Sequence, residues 1–352
     1  MLDPVVHDRI MKAMNFEEGD RVPIWDYLDN RGIWEHFAAP GDTYEQGIVK
    51  VYHALGIDLC RGYGASYAEA DNGKVTQSGK VEYRVTGRSL WVAKKPIQSL
   101  DDLRAYKISP VSKETARPGW VAEIRRRQAV FEPFTLYVPG YGCGFHATYG
   151  SMGLELFSYA IFECRSDIER MMDVLCTNAV SYAEVCAEEK LCPLFMIGDD
   201  VAYKNRLMCS PKFLRETFIK CLRRVCAPLN AAGIKVIFHS DGDVTEILDD
   251  MIDAGISGLN PIEPLAGMDI GHLKKRYGRN LILVGNVDCS QVLPLGTPED
   301  VIAATKQCIR AASPGGGHFI GSSSEIVPST PVQNILAFYR TCRHYGRYPI
   351  SC

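Results

Sequence analysis

The stretch VIFHSDGDVTEILDDMIDAGISGLNPIEP, Val236 to Pro264, holds one complete unit of the fold. An apolar run, Val236–Phe238, stops at His239-Ser240-Asp241-Gly242. A short amphipathic segment follows, and a second apolar run through Leu259 and Ile262 stops at Glu263. Apolar runs this short, bounded by turn residues, read as strands buried on both faces and hence parallel, and the segment between them reads as a helix.

The unit repeats in both directions. Toward the C-terminus, LILVGNVD precedes the helical PEDVIAATKQCIRAAS, and GHFIGSSSE precedes PVQNILAFYRTCRHYG. Toward the N-terminus, LFMIGDD precedes PKFLRETFIKCLRRVCAPLNAAG. FTLYVPG precedes SMGLELFSYAIFEC and a long helix that a Ser166–Glu169 capping box is expected to open. RVPIWDYLD, followed by TYEQGIVKVYHALG, and IDLCRGYG complete eight strands. The alternating GKVEYRVTGRSLWVAKKP, turning at Thr86–Gly87, is expected to form an inserted β-hairpin at about 78–97. The fold class expected is therefore α/β, a single (β/α)8 TIM barrel spanning 1–352. An open doubly wound sheet is the alternative, disfavoured because no GxGxxG follows the first strand.

With 352 residues, 46% of them hydrophobic, the chain can bury a large core. A net charge of −3, with no Lys/Arg run longer than three residues such as Arg125–Arg127, points away from nucleic acid and from membrane surfaces. No stretch approaches 18 apolar residues, and the N-terminus lacks a signal peptide's long apolar region, so a cytoplasmic protein is expected. The 13 cysteines are odd in number and form no CxxC pair. They read as free thiols in a reducing, anaerobic cytoplasm.

In a (β/α)8 barrel the active site lies at the C-terminal ends of the strands. Read in order, those ends are Trp25-Asp26, Asp58 to Tyr63, Tyr141 to His146, Asp199-Asp200, His239 to Asp241, Glu263, Asn286 to Asp288, and Ser322 to Glu325. His239 and Asp241 are two apart and face one way in extended chain, as a Zn²⁺ site or an acid–base pair requires. Glu263 and Glu325 are the nearest further ligands. The alternative is that Asp241 caps the next helix and His239 bonds a backbone carbonyl. Asp199 and Asp200 point oppositely, so one faces the pocket as an acid and the other fixes a loop, with Lys204 as its partner. The catalytic set expected is His239, Asp241, Asp199 and Asp200. The glycine-rich loop Gly140–Gly150 brings up Tyr141, Phe145 and His146, which with Trp25 and Tyr63 are expected to wall a ring-shaped substrate. Asp26 and Asn286 are further expected contacts.

DRVPIWD, IGDDVAYKNRLMCSP, VIFHSDG, GLNPIEPLAGMDI, LILVGNVD and GGGHFIGSSSEIVPSTPVQNILAFY resemble the uroporphyrinogen decarboxylase superfamily, most strongly from about residue 190 onward. The resemblance implies a TIM barrel of the uroporphyrinogen decarboxylase type and one of two chemistries. The decarboxylases grip their substrate with an RQAGR segment. Here DYLDNRGIWEHF offers only Arg31 beside Asp26 and Asp29, which puts decarboxylation second. The other branch is corrinoid-dependent methyl transfer. Its methylcobamide:coenzyme M methyltransferases bind zinc through His-x-Cys and a later Cys. His239 keeps the histidine, while Asp241 and Ser324 stand at the cysteine positions. An oxygen-rich site suits an ether oxygen better than a thiol. The resemblance then implies demethylation of an O-methyl, methoxyaromatic substrate by a corrinoid-dependent methyltransferase, with the methyl passed to Co(I) of a corrinoid protein. Zn²⁺ would be held by His239, Asp241, Glu263 and Glu325. The partners expected are a small-molecule methyl donor, the corrinoid protein and a second copy in a homodimer. Two rivals are a decarboxylase of a smaller substrate, with Asp26 or Asp58 as proton relay, and a non-catalytic corrinoid- or tetrapyrrole-binding protein.

Overall fold

Eight short parallel strands form the frame: β1 Trp25–Asp26, β2 Leu59–Cys60, β3 Leu136–Tyr137, β4 Leu194–Gly198, β5 Lys235–His239, β6 Gly258–Asn260, β7 Ile282–Val284 and β8 His318–Phe319. The computed structural model describes residues 1–62, 75–78, 81–86 and 89–351. β1–β2–β3 form one ladder and β4 to β8, in sequence order, another. Two parallel bridges join them into a ring, Ile24↔Ile320 and Gly140↔Met196. Trp25 N donates to Ile320 O at 2.9 Å on one seam, and Tyr141 N to Met196 O at 3.0 Å on the other. All eight expected strands are present, and the open-sheet alternative falls.

Side chains alternate across this ring as a strand requires. Trp25, Leu59, Val138, Leu194, Met196, Ile237, Ile282, Val284 and Phe319 pack together inside the barrel. Ile24, Cys60, Phe195, Ile197, Val236, Phe238, Leu259 and Leu283 belong to the outer layer beneath the helices. The first helix, Pro4–Met14, starts on Asp3, which accepts from Val5 N and Val6 N, and buries Val6, Ile10, Ala13 and Met14 against the interior cluster. It plugs the N-terminal end of the barrel.

Asp58 lies at that lower end. Its carboxylate binds Arg9 Nη1 at 2.5 Å, Arg21 Nη1 at 2.7 Å and Ile24 N at 2.7 Å. It is a buried ionic clasp between helix and strands, not the proton relay entertained from sequence.

Several local expectations are corrected. The long helix spans Arg165–Glu188 without a side-chain cap, so Ser166 lies inside it, and Glu169 accepts from Arg165 instead. The helix expected over 151–164 is two, Phe145–Met152 and Leu154–Glu163, broken at Gly153 with φ 87°. The next is likewise split at Thr217 into Pro211–Glu216 and Phe218–Ala231. After β2, Val81–Thr86 pairs antiparallel with Ser89–Lys94, with Thr86 opposite Ser89. A third strand, Val75–Ser78, pairs with Val81–Thr86 on its other side. Twelve cysteines among the described residues are free thiols. No helix among the described residues is long and apolar enough to cross a membrane.

Candidate functional site

The inward-facing set continues beyond the strand ends. From Ile237 it runs to His239 and Asp241, from Met196 to Gly198 and Asp200, from Leu59 to Arg61, and from Gly258 to Asn260. In register, His239 lies between Gly198 on β4 and Asn260 on β6. Asn260 Nδ2 donates to Val284 O at 3.4 Å, which turns its amide oxygen toward His239. His239 Nδ1 donates to that oxygen at 2.6 Å. The ring proton is therefore on Nδ1, and the Nε2 lone pair is free, 3.9 Å from Asp241 Oδ1. Burial, with the charge of Arg61 behind it, pushes His239 down to about 4, so the imidazole is neutral.

Asp200, His239 and Asp241 present ligand atoms within 4.8 Å of one another. The carboxylates are tuned apart. Burial, then the negative charges of Asp200 and Glu263, raise Asp241 to about 6. Burial acts the same way on Asp200, but His146, His239 and the Asp241 amide together outweigh it and lower that carboxyl. Asp241 N donates to Asp200 Oδ1 at 3.0 Å, and His146 Nδ1 stands 3.4 Å from Asp200 Oδ2. Half of the Asp241 side chain meets solvent, yet its Oδ1 is buried and accepts no hydrogen bond. A buried, unpaired carboxylate oxygen beside an oriented imidazole lone pair and a second carboxylate suits a divalent cation such as Zn²⁺ in a nitrogen–oxygen set. Asn260 supplies the outer hydrogen bond such a histidine needs.

The other expected residues fall in different places. Asp199 is turned away and buried, accepting from Cys143 N at 2.5 Å, from Gly144 N at 2.8 Å and from His146 N, so it moors the Gly140–Gly150 loop without Lys204. Glu263 accepts from Gly242 N at 2.9 Å, bracing the His239–Asp241 turn. Glu325 is half-buried outside the three-group cluster, its carboxyl raised by burial. Trp25 and Phe145 are 3% and 0% exposed and pack in the interior, against Phe319 and against Tyr149, Phe157 and Phe218 respectively, so neither walls the mouth. Asn286 donates to Ile262 O at 2.9 Å and lines a separate cavity between the β6 and β7 loops and the helix Pro298–Ala312. Asp26 is buried against Ser322 Oγ at 2.6 Å and Tyr339 Oη at 2.9 Å, and burial raises it to about 6. Tyr141 lines a cavity together with Arg61, but its ring packs against the outer helices, stacked on Tyr182 at 4.4 Å and edge-on to Trp120 at 6.3 Å, and His146 is exposed, stacked on Tyr149 at 4.8 Å. Tyr63 lies outside the described residues.

One opening ends on the cluster and a second lies beside it, at Gly198, the register partner of His239. The first is a cleft of about 740 Å³ lined by Tyr149, Leu154, Phe157, Tyr203 and Met208 and ending on Asp200 and Asp241. The other is a cavity of about 260 Å³ walled by Arg61, Tyr137, Tyr141, Met196 and three glycines. Ser324, at the position where the resemblance puts the second cysteine, hydrogen-bonds Asp241 through its side chain, and Arg61, Asn260 and Tyr149, not singled out as site residues from the sequence, complete the site. Counting every second residue outward from Leu59 and Gly258 would have found Arg61 and Asn260.

With this geometry in view, the comparisons are specific. The family model described as uroporphyrinogen decarboxylase (URO-D) matches residues 92–345. The chain belongs to the uroporphyrinogen decarboxylase family. A methylcobamide:CoM methyltransferase (MtaA) of Methanosarcina barkeri is 30% identical over 169 residues, 48% of this chain and 46% of that enzyme. This chain thus spans just under half the length of that relative. Another methylcobamide:CoM methyltransferase (MtbA), of Methanosarcina mazei, is 22% identical over 72% of this chain and 71% of its own. A uroporphyrinogen decarboxylase of Coxiella burnetii is 30% identical over only 22% of this chain and 21% of its own. Sequence likeness is therefore broader to the corrinoid-dependent methyltransferase branch of the family. For the fold alone, a solved methyltransferase from Methanosarcina mazei superposes with a TM-score of 0.71, covering 97% of this chain and 98% of the other, at 20% identity.

Proposed function

We propose that this member of the uroporphyrinogen decarboxylase family demethylates an O-methyl substrate, a methoxyaromatic compound, and passes the methyl group to the Co(I) of a corrinoid protein. The observation that carries this reading is the cluster Asp200–His239–Asp241, a nitrogen and carboxylate oxygens with no thiolate, at the inner end of the wider cleft and beside the smaller cavity. The ring sits in the smaller cavity beside Tyr141, and the wider cleft admits the methyl acceptor. The methyl carbon–oxygen bond breaks with its electron pair left on oxygen. The carbon–cobalt bond forms from the Co(I) electron pair, and the leaving oxygen takes a proton.

Asp241 is placed to give that proton, because burial and Asp200 keep it protonated into the mildly acid range. His239 aims its Nε2 lone pair at the same space, and Asn260 locks the ring. Glu263 holds the turn that carries Asp241, and Asp199 holds the loop that carries Tyr141 and His146. With a divalent ion held by Asp200, His239 and Asp241, Asp241 would be an ionised ligand rather than the acid, and the ion would supply Lewis acidity toward the ether oxygen in place of that proton.

The test is turnover with cob(I)alamin and a panel of methoxyaromatic donors, alongside metal content. Either His239→Ala or Asp241→Ala should slow demethylation by roughly 10²–10⁴-fold, the span for a lost acid–base group. Metal content should fall in His239→Ala and stay full in Cys289→Ser, whose thiol packs against Ser323. Unchanged rates in both alanine variants would reject the assignment.

A further inference from the structure

We propose that Arg61 selects the methyl donor by binding a carboxylate on its aromatic ring, so that the substrate class is a methoxyaromatic acid. This rests on the demethylation reading above and extends it. Arg61 follows β2 on the inward side, two residues beyond Leu59. Of its five N–H donors, one has a partner among the described residues. That is Nη2, which reaches Ser324 O at 3.5 Å, the outer limit of a hydrogen bond. No carboxylate of the described residues lies within ion-pair distance of it. The guanidinium is nevertheless oriented, its carbon 5.2 Å from the centre of the Tyr27 ring.

Its location ties it to the chemistry. Arg61 and Tyr141 wall the same cavity of about 260 Å³, and so does Gly198, the register partner of His239. Ser324 gives its carbonyl to Arg61 and its side chain to Asp241. Guanidinium and acid–histidine pair therefore sit at nearby strand ends, close enough for the charge of Arg61 to act on both His239 and Asp241. Gly198 leaves that cavity open, since a Cβ there would meet nothing within 4 Å, and Gly140 and Gly142 let the neighbouring wall lie close against β4. A Cβ on Gly140 would meet Met196 O at 2.5 Å, and one on Gly142 would meet Gly198 O at 2.9 Å.

The described carboxylates of the mouth act on Arg61 only through the field, which leaves four of its five donors without a partner among the described residues. A partly buried fork whose donors are mostly unused among the described residues matches a carboxylate, which accepts two parallel N–H bonds at once. Nothing on a neutral methoxybenzene can do this. A ring carrying a carboxylate at one side and a methoxy group at the other would span from Arg61 to Asp241 with Tyr141 alongside.

The experiment is calorimetric titration without any corrinoid, using 3-methoxybenzoate and methoxybenzene as ligands, on the wild-type protein, Arg61→Gln and Arg61→Lys. The wild type should bind the acid roughly 10–100-fold more tightly than methoxybenzene, as a charge-assisted pair of hydrogen bonds implies. Arg61→Gln should lose that preference with little change for methoxybenzene, and Arg61→Lys should recover part of it. Equal wild-type affinities, or a preference undiminished in both variants, would overturn the proposal. The demethylation reading fails separately. If the preference depends on Arg61 yet no methoxy donor methylates cob(I)alamin, Arg61 stands as the anion anchor and demethylation does not.

Discussion

Burial acts on each titratable side chain according to what surrounds it. His239 and His318 are both neutral and pushed down to about 4 by burial, but they do different work. His239 points a lone pair into the mouth. His318 is sealed in the barrel wall, with Nε2 donating to Gly285 O at 2.8 Å and Nδ1 accepting from Ser313 Oγ at 2.8 Å. A histidine whose folded value lies below its unfolded one stabilises the fold fully above the unfolded value. That stability drains away as pH falls through the window between the two. For His318 the window runs from 6.5 down to about 4. Its share of the acid destabilisation is roughly 3 kcal/mol. His318→Gln should therefore be less stable than wild type at pH 7, and its unfolding free energy should fall less steeply between pH 6.5 and 4. Urea melts across that range check this, and identical slopes would contradict it.

The short strands leave little room for error where the barrel closes. Gly321, just past β8, lies against β1, and a Cβ there would come within 2.1 Å of Trp25 O. Gly321→Ala should cost about 1–3 kcal/mol or more through overpacking, seen as a lower urea midpoint with unchanged slope. Gly119, within the helix Lys113–Phe131, meets nothing within 4 Å. Gly119→Ala should instead stabilise by roughly 0.5–1 kcal/mol. Equal effects at the two sites would contradict the closure described here. The eight strands were legible in the sequence because each is an apolar run between turn residues, and burial on both faces leaves no other reading. Helix breaks were not, because an isolated glycine inside a helical pattern allows the φ of 87° at Gly153 without demanding it, and Thr217 carries no turn signal in the sequence. The site was legible where period two could be counted, as at His239, Asp241 and Asp200. It was not where a residue type suggested a role its direction forbids. Trp25 and Phe145 look like ring-binders but face the packed interior, Asp58 looks like a relay but belongs to two arginines, and Arg61 was passed over between conspicuous neighbours.

At the scale of the whole molecule, the barrel divides into an N-terminal end built for stability and a C-terminal end built for chemistry. The Arg9–Asp58–Arg21 clasp and the plugging helix close the first. The second keeps its carboxylates only partly satisfied, as Asp241 Oδ1 shows, and opens on two sides. A decarboxylase of a small carboxylated ring would also use Arg61, so the fate of the substrate's carbons separates the two chemistries. The direct measurement supplies 3-methoxybenzoate carrying ¹³C in the methoxy carbon and ¹⁴C in the carboxyl to the protein with cob(I)alamin under anaerobic conditions. The account predicts ¹³C-methylcobalamin and 3-hydroxybenzoate in equal amounts, with no ¹⁴CO₂. Release of ¹⁴CO₂ with the methoxy group intact would contradict it.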